Sequence, residues 1–157
     1  MDGAEAIENL IEAFPVLEQP IAAERRTWRE GQEGMMHPLW DVIARVVVFP
    51  LLSQDREDDA AITSFFGWME ATLLEGDKEV VNCVDTGILE RLGDDLGWIA
   101  RARPFMGPLT IQHHRMVQSW WGRDDGFYDL GPPGPPPETG YLSLPVRPWS
   151  PPDRTQS

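Results

Sequence analysis

The side chains that could carry chemistry are few, and histidine comes first because proton transfer uses it most. His113 and His114 are adjacent, so on a helix they point about 100° apart and make a poor metal pair. A helical ligand pair needs i,i+3 or i,i+4 spacing, as in His-Glu-x-x-His, and neither that motif nor Glu-x-x-His occurs. His37 with Asp41 is the nearest approach, and it reads equally as a half-buried histidine beside an ordinary salt-bridge partner. His113 is expected in the apolar stripe of its helix and His114 beside Trp121. Cys83 is expected opposite Val81 and Ile88, partly exposed, with no basic neighbour to make it a nucleophile. Asp85 falls at the border of an inward face, where a carboxylate needs a partner, such as a Trp N–H or an Arg. Glu90 is expected to face solvent on the same helix. There is no Gly-x-Ser-x-Gly elbow, P-loop or Gly-x-Gly-x-x-Gly, so the sequence declares no reaction, metal or cofactor.

Acidic clusters are the more conspicuous chemistry. Asp55, Glu57, Asp58 and Asp59 form one, Glu75, Asp77 and Glu79 a second, Asp94 and Asp95 a third. Each sits at a predicted helix start or the turn before it, where the helix dipole favours a carboxylate. The starts of alternate antiparallel helices share one end, so the Asp55 and Asp94 clusters are expected to meet. Seven tryptophans exceed what one core needs, and Trp beside carboxylates is good interface material. Trp68 lies off the Phe65/Met69 stripe. It is therefore expected either as an interface anchor or packed on a neighbouring helix.

The elements that must position these groups read as helices. Asp2 with Glu5 resembles a capping box, Ile7, Leu10, Ile11 and Phe14 make a stripe, and Pro15 ends it. A second helix is predicted from near Val16 or Pro20 to Glu30. The third, about Pro38 to Leu52, is apolar almost all round and therefore central. Asp41 and Arg45 form its polar strip as an i,i+4 pair, and Pro50 should kink or end it. Its Val46-Val47-Val48 run also allows a strand. The fourth starts at the Asp55/Asp58 cap with Ile62, Phe65, Phe66, Met69 and Leu73 inward. The fifth runs from Asp77 to Gly93 with Val81, Val84, Ile88 and Leu92 inward. A short sixth follows Asp94, burying Leu96 and Ile99. The seventh has Pro108 in its first turn, ends at Gly122 and is lined by Leu109, Met116, Val117 and Trp120. The expected fold is all-α, a single compact bundle or array of six to seven helices.

Composition bounds the function. The chain has 157 residues and a net charge of −13, and residues 1–100 alone hold 21 acidic and 7 basic side chains. That argues against binding by phosphate neutralisation, whether to nucleic acid or to an anionic membrane. One cysteine excludes a disulfide framework. No apolar run reaches spanning length, and Met1-Asp2-Gly3-Ala4-Glu5 lacks a basic leader, so a cytoplasmic location is expected. Nine of fifteen prolines lie between Pro132 and Pro152. Residues 1–126 are read as an acidic helical domain and 127–157 as a proline-rich tail, extended or docked. Tyr141, Leu142, Leu144 and Trp149 suit docking, and Pro145-Val146-Arg147-Pro148 fits a PxxP pattern.

Several segments carry a resemblance. They are Phe65-Phe66-Gly67-Trp68-Met69-Glu70, Asp77-Lys78-Glu79-Val80-Val81-Asn82, Leu89-Glu90-Arg91-Leu92, Gly107-Pro108 and Trp120-Trp121. Residues 37–121 thereby resemble a family of small, uncharacterised all-helical bacterial proteins, some of which act like immunity proteins beside polymorphic toxins. Twelve Arg to one Lys fits a high-GC bacterial genome. The resemblance implies a non-enzymatic binding module of immunity or antitoxin type. It would occlude a basic protein partner, such as a toxin domain, through an acidic, Trp-bearing face. The residues expected on that face are Asp55, Glu57, Asp58, Asp59, Trp68, Glu75, Asp77, Glu90, Asp94 and Asp95. Two readings stand beside it. One is an enzyme or metal binder using Asp85, Glu90, His113 and nearby acids. The other is a regulatory adaptor working through the tail.

Overall fold

A computed structural model describes residues 1–29, 37–53 and 58–123. Among them every regular element is helical and no strand occurs, as the absence of period-two alternation predicted. The helices pack as a compact array of seven rods.

Helix α1 spans Gly3–Ala13, and the Asp2 side chain accepts a hydrogen bond from Glu5 N at 2.9 Å, the capping predicted from sequence. Pro15 cannot continue the ladder, so the chain makes a 3-10 turn at Pro15–Leu17 before α2, Glu18–Arg25. Helix α2 is thus shorter than the Val16-to-Glu30 reading.

The third rod is α3 (His37–Ile43), a π turn (Ala44–Val48) and α4 (Phe49–Leu52). Pro50 neither ends nor breaks it. The wider turn lets the Phe49 N–H reach back to Ala44 O just before the missing Pro50 donor. The Val46-Val47-Val48 run is helical, which removes the strand alternative. Asp41 pairs with Arg91 at 2.5 Å across the fold instead of with Arg45.

Helix α5, Asp59–Glu75, is the longest, and Asp58 caps it through Ala61 N. Its predicted stripe is buried, and so are Ser64, Gly67, Trp68 and Thr72, so this helix is buried on most of its circumference. The fourth and fifth rods are joined at Gly76-Asp77. The fifth comprises α6 (Lys78–Val84), a second π turn (Asp85–Leu89) and α7 (Glu90–Leu92). Val80, Cys83 and Val84 are its buried residues in α6, while Val81 is half-buried. Val84, Ile88 and Leu92 are buried as predicted, Val80 is buried in place of Val81, and Cys83 is fully buried where a partly exposed thiol was expected.

Helix α8, Leu96–Ala102, is capped by Asp95, which accepts from Gly97 N and Trp98 N. Leu96 is exposed, contrary to the inward reading, because the first turn lies at the surface around that cap. After a 3-10 turn at Arg103–Phe105 comes α9, Pro108–Trp120. Gly122 takes φ +68°, and Gly122 N and Arg123 N bond to Ser119 O and Gln118 O, a Schellman close that only glycine adopts without strain.

Helix α9 presents a different face from the one predicted. Thr110, Ile111, His114, Val117 and Gln118 are buried, whereas Met116 and Trp120 are exposed. Of the three inward polar residues at i, i+4 and i+8, Thr110 and Gln118 find hydrogen-bond partners for their polar atoms in the fold. The core is centred on Trp40, Trp68, Phe14, Phe65 and Phe66. Trp40 stacks on Trp68 at 5.5 Å, and Phe65 meets Phe14 and Phe66 edge-on. The proline-rich tail expected over 127–157, with its PxxP pattern, lies outside the described residues.

Candidate functional site

Three polar arrangements converge on α9. At its start, the Glu70 carboxylate from α5 accepts from Leu109 N at 2.8 Å, Thr110 N at 2.9 Å and Thr110 Oγ1 at 2.8 Å. Pro108 has no N–H, so two of the three orphan N–H groups at the start of α9 are satisfied by a side chain 39 and 40 positions away. Gly107 makes the approach possible, since a Cβ there would lie 2.5 Å from the carboxylate carbon. Glu70 and Gly107-Pro108 are therefore one structural unit, with α5 setting the position of α9.

In the middle, Asp85 of the second π turn meets His113 Nδ1 at 2.9 Å. Asp85 is 5% exposed, and burial raises its carboxyl above the usual range against the pull of His113. The partner is thus a histidine, neither the Trp nor the Arg expected. The π turn also carries Thr86, whose hydroxyl lies 3.5 Å from His37 Nδ1 and donates to Asn82 O. One residue along α9, His114 is buried in the opposite direction. Burial lowers it to about 4, opposed by a backbone bond at Leu89 and reinforced by the charges of Arg103, Arg115 and Arg123. Beside it Arg103, His114 and Arg115 line a cavity of about 10 Å³, room for one water. Burial, followed by Glu79 and Asp77, pushes the Cys83 thiol up to about 11, so it is not an activated nucleophile.

At the end of α9, Gln118 Nε2 donates to Leu89 O and Glu90 O, and Gln118 Oε1 accepts from Arg123. This ties the last turn of α9 to the end of the fifth rod. Between them lies a surface depression of about 280 Å³, lined by Glu90, Arg91, Asp94, Trp121 and Arg123. Arg123 reaches Asp94 at 3.6 Å, and Arg91 is engaged by Asp41. Trp120 and Trp121 are 55% and 62% exposed.

The sequence-expected binding residues separate accordingly. Glu90 and Asp94 share the depression, and Asp95 caps the next helix. Asp58 and Asp59 start α5 while Glu75 ends it, about 25 Å away at 1.5 Å per residue. Glu75 and Asp77 instead meet the chain start, where the Met1 amino group donates to Glu75 O and Asp77 N donates to Met1 O. The ten residues therefore do not form one face. Asp55 and Glu57 lie outside the described residues, although Ser53 accepts from Trp98 Nε1, which joins that side of the chain to α8. Trp68 is a correction: it is fully buried, its Nε1 bonded to Ala6 O at 2.9 Å, so it cannot meet a partner. Among the described residues Trp120 and Trp121 are the exposed tryptophans instead, and the signal for them in the sequence was Gly122, which places both at the end of α9. Of the alternative set, Asp85 and His113 come together and Glu90 does not join them. No cluster of three or more His, Cys, Asp or Glu suited to a metal ion occurs among the described residues.

A family model described as a domain of unknown function (DUF7674) matches residues 7–123. The chain belongs to that family. The DUF7674 domain thus runs from the middle of α1 to the end of α9, and the Glu70–Gly107, Asp85–His113 and Gln118 links all fall inside it. No curated protein and no solved structure matches the chain. No helix among the described residues is long and apolar enough to cross a membrane.

Proposed function

We propose that this DUF7674 protein is a non-enzymatic protein-binding module of immunity or antitoxin type that occludes a basic protein partner in the cytoplasm. The observation that carries the reading is the exposed Trp120–Trp121 pair, of which Trp121 lies beside Glu90 and Asp94. Large aromatic side chains rimmed by charge make interface hot spots. The Schellman close at Gly122 and the Gln118 bonds hold the pair in position before any partner arrives, which reduces the ordering cost of association. The net charge of −13 would steer a cationic partner toward the protein and make capture sensitive to salt. The face proposed here combines Glu90, Asp94, Asp95, Trp120 and Trp121, with Asp58 and Asp59 as more distant steering charges.

The test uses the full chain as bait in its native cells, beside a Trp120→Ala/Trp121→Ala variant. A basic protein should be retained by the first, lost from the second, and released between low and physiological ionic strength. Retention of nothing basic, or binding indifferent to both salt and the tryptophans, refutes the proposal.

A second reading has one specific observation in its favour. The Asp85–His113 bond orients an imidazole as catalytic dyads do. On that reading His113 would act as a general base with Asp85 as its orienting carboxylate, and His113→Gln would abolish an activity that the Trp variants leave intact.

A further inference from the structure

The depression between α7 and α9 has the composition of a pocket for one particular kind of side chain. Its wall is Trp121, whose ring is mostly solvent-exposed, and its rim carries the carboxylates of Glu90 and Asp94. Among the described residues Glu90 makes no side-chain hydrogen bond or ion pair, although it is half-buried. Both cations that line it already have partners. Arg91 is bonded to Asp41 at 2.5 Å, and Arg123 is bonded to Gln118 at 2.9 Å and lies 3.6 Å from Asp94. Because Asp41, outside the lining, takes up Arg91, the one remaining guanidinium, Arg123, faces the two rim carboxylates Glu90 and Asp94. A flat ring beside an uncompensated carboxylate attracts a cation through both its quadrupole and the charge.

We propose that this pocket receives a single arginine or lysine side chain from the protein partner, stacked on Trp121 and paired with Glu90 and Asp94. The proposal rests on the protein-binding reading above and names the group recognised at its centre. Arg123 then has a second role: its loose contact with Asp94 is the intramolecular contact that the incoming cation displaces. Arginine suits the site better than lysine because its planar fork pairs with a carboxylate while its face lies on the ring. The volume of about 280 Å³ admits one long side chain and not a helix, so the partner would insert from a loop or a chain end.

The test uses the full chain and the blocked tripeptide acetyl-Gly-Arg-Gly-amide, whose single charge makes general attraction to an acidic protein small. The citrulline tripeptide is its neutral isostere, and acetyl-Gly-Glu-Gly-amide is the acidic comparator. The seven indole N–H resonances are followed by NMR, with Trp121 assigned from Trp121→Phe. The arginine peptide should move the Trp121 resonance while leaving those of Trp40 and Trp68 in place, and the two comparators should move none. Glu90→Gln should weaken the effect about three- to five-fold, as loss of one exposed ion pair does. Arg123→Ala should strengthen it about three-fold by removing the internal competitor, beyond any effect of the charge-matched Arg26→Ala on α2. An unmoved Trp121, a citrulline peptide equal to the arginine peptide, or an Arg123→Ala variant that binds more weakly overturns the pocket. These outcomes leave the bait experiment intact, so a basic protein still captured through Trp120 and Trp121 would mean that the module binds without this anchor. Loss of both results overturns the basic-partner reading itself.

Discussion

Replacing Glu70 with glutamine should loosen the whole of α9 while leaving the other helices in place. The carboxylate accepts three hydrogen bonds, from Leu109 N, Thr110 N and Thr110 Oγ1. An amide keeps one oxygen and turns its NH2 toward at least one of these donors. Thr110 is fully buried, so its orphaned donor has no water to turn to. Hydrogen bonds to a charged group contribute about 1.5–3 kcal/mol net, and a buried unsatisfied donor costs about 1–3 kcal/mol. Because the three share one partly exposed carboxylate, the expected destabilisation is about 2–3 kcal/mol. For a body of this size that lowers Tm by about 10 °C. Gly107→Ala should cost about 2 kcal/mol, because its Cβ must displace the same carboxylate. Backbone strain contributes nothing, since Gly107 has φ −75°. The decisive measurement is a double-mutant cycle by urea denaturation with Glu70→Ala and Gly107→Ala. Once the carboxylate is gone, the added methyl meets little, so the double variant should be about 1–2 kcal/mol more stable than the sum of the singles. Additivity within about 0.5 kcal/mol would refute the coupling.

Other expectations follow from the buried groups. His114 binds its proton near 6.5 when unfolded and near 4 when folded. Its contribution is therefore fully present above pH 6.5 and is lost as pH falls toward 4, by about 3 kcal/mol in all. Asp85, whose carboxyl is raised by burial, works in the opposite direction, so His114→Gln should abolish the fall in urea midpoint between pH 6.5 and 4 and leave the Asp85 contribution, which grows as pH falls; an unchanged slope would contradict the assignment. Cys83, buried and pushed up to about 11, should resist a thiol reagent at pH 8 until urea opens the core; labelling of the native protein within minutes would show that α6 opens locally. Gly122→Ala forces a side chain into the left-handed region and should cost about 1–2 kcal/mol, with no clash because the space around Gly122 is open. It should also weaken any partner that binds Trp121, and equal binding by this variant would separate the Schellman close from the site.

The sequence by itself determined where most of the helices begin and where α1 and α9 end, but not the end of α2 or the passage of the third rod through Pro50. Asp2, Asp58, Asp77 and Asp95 each cap a helix through a backbone N–H two or three residues away, and Pro108 and Gly122 bracket α9. Such chemistry is local, so it is legible in one dimension and gives the all-helical class with it. Which face of a helix is buried was legible where apolar residues alone set it, as in α5 from Ile62 to Leu73. It was not legible in α9, where Thr110 and Gln118 turn inward on partners 40 and 29 positions away, while Met116, Trp120 and Trp121 turn out. Periodicity treats an inward threonine or glutamine as an error, yet a buried polar group is tolerated wherever the fold supplies its hydrogen bonds. The candidate site divides in the same way. Glu90 and Asp94 were visible as charges, but their meeting with Trp121, the burial of Trp68 on Ala6 O and the Asp85–His113 bond all depend on residues brought together from 27 to 62 positions apart. Only the packing of α1 against α5, and of α9 against the fifth rod, decided those encounters.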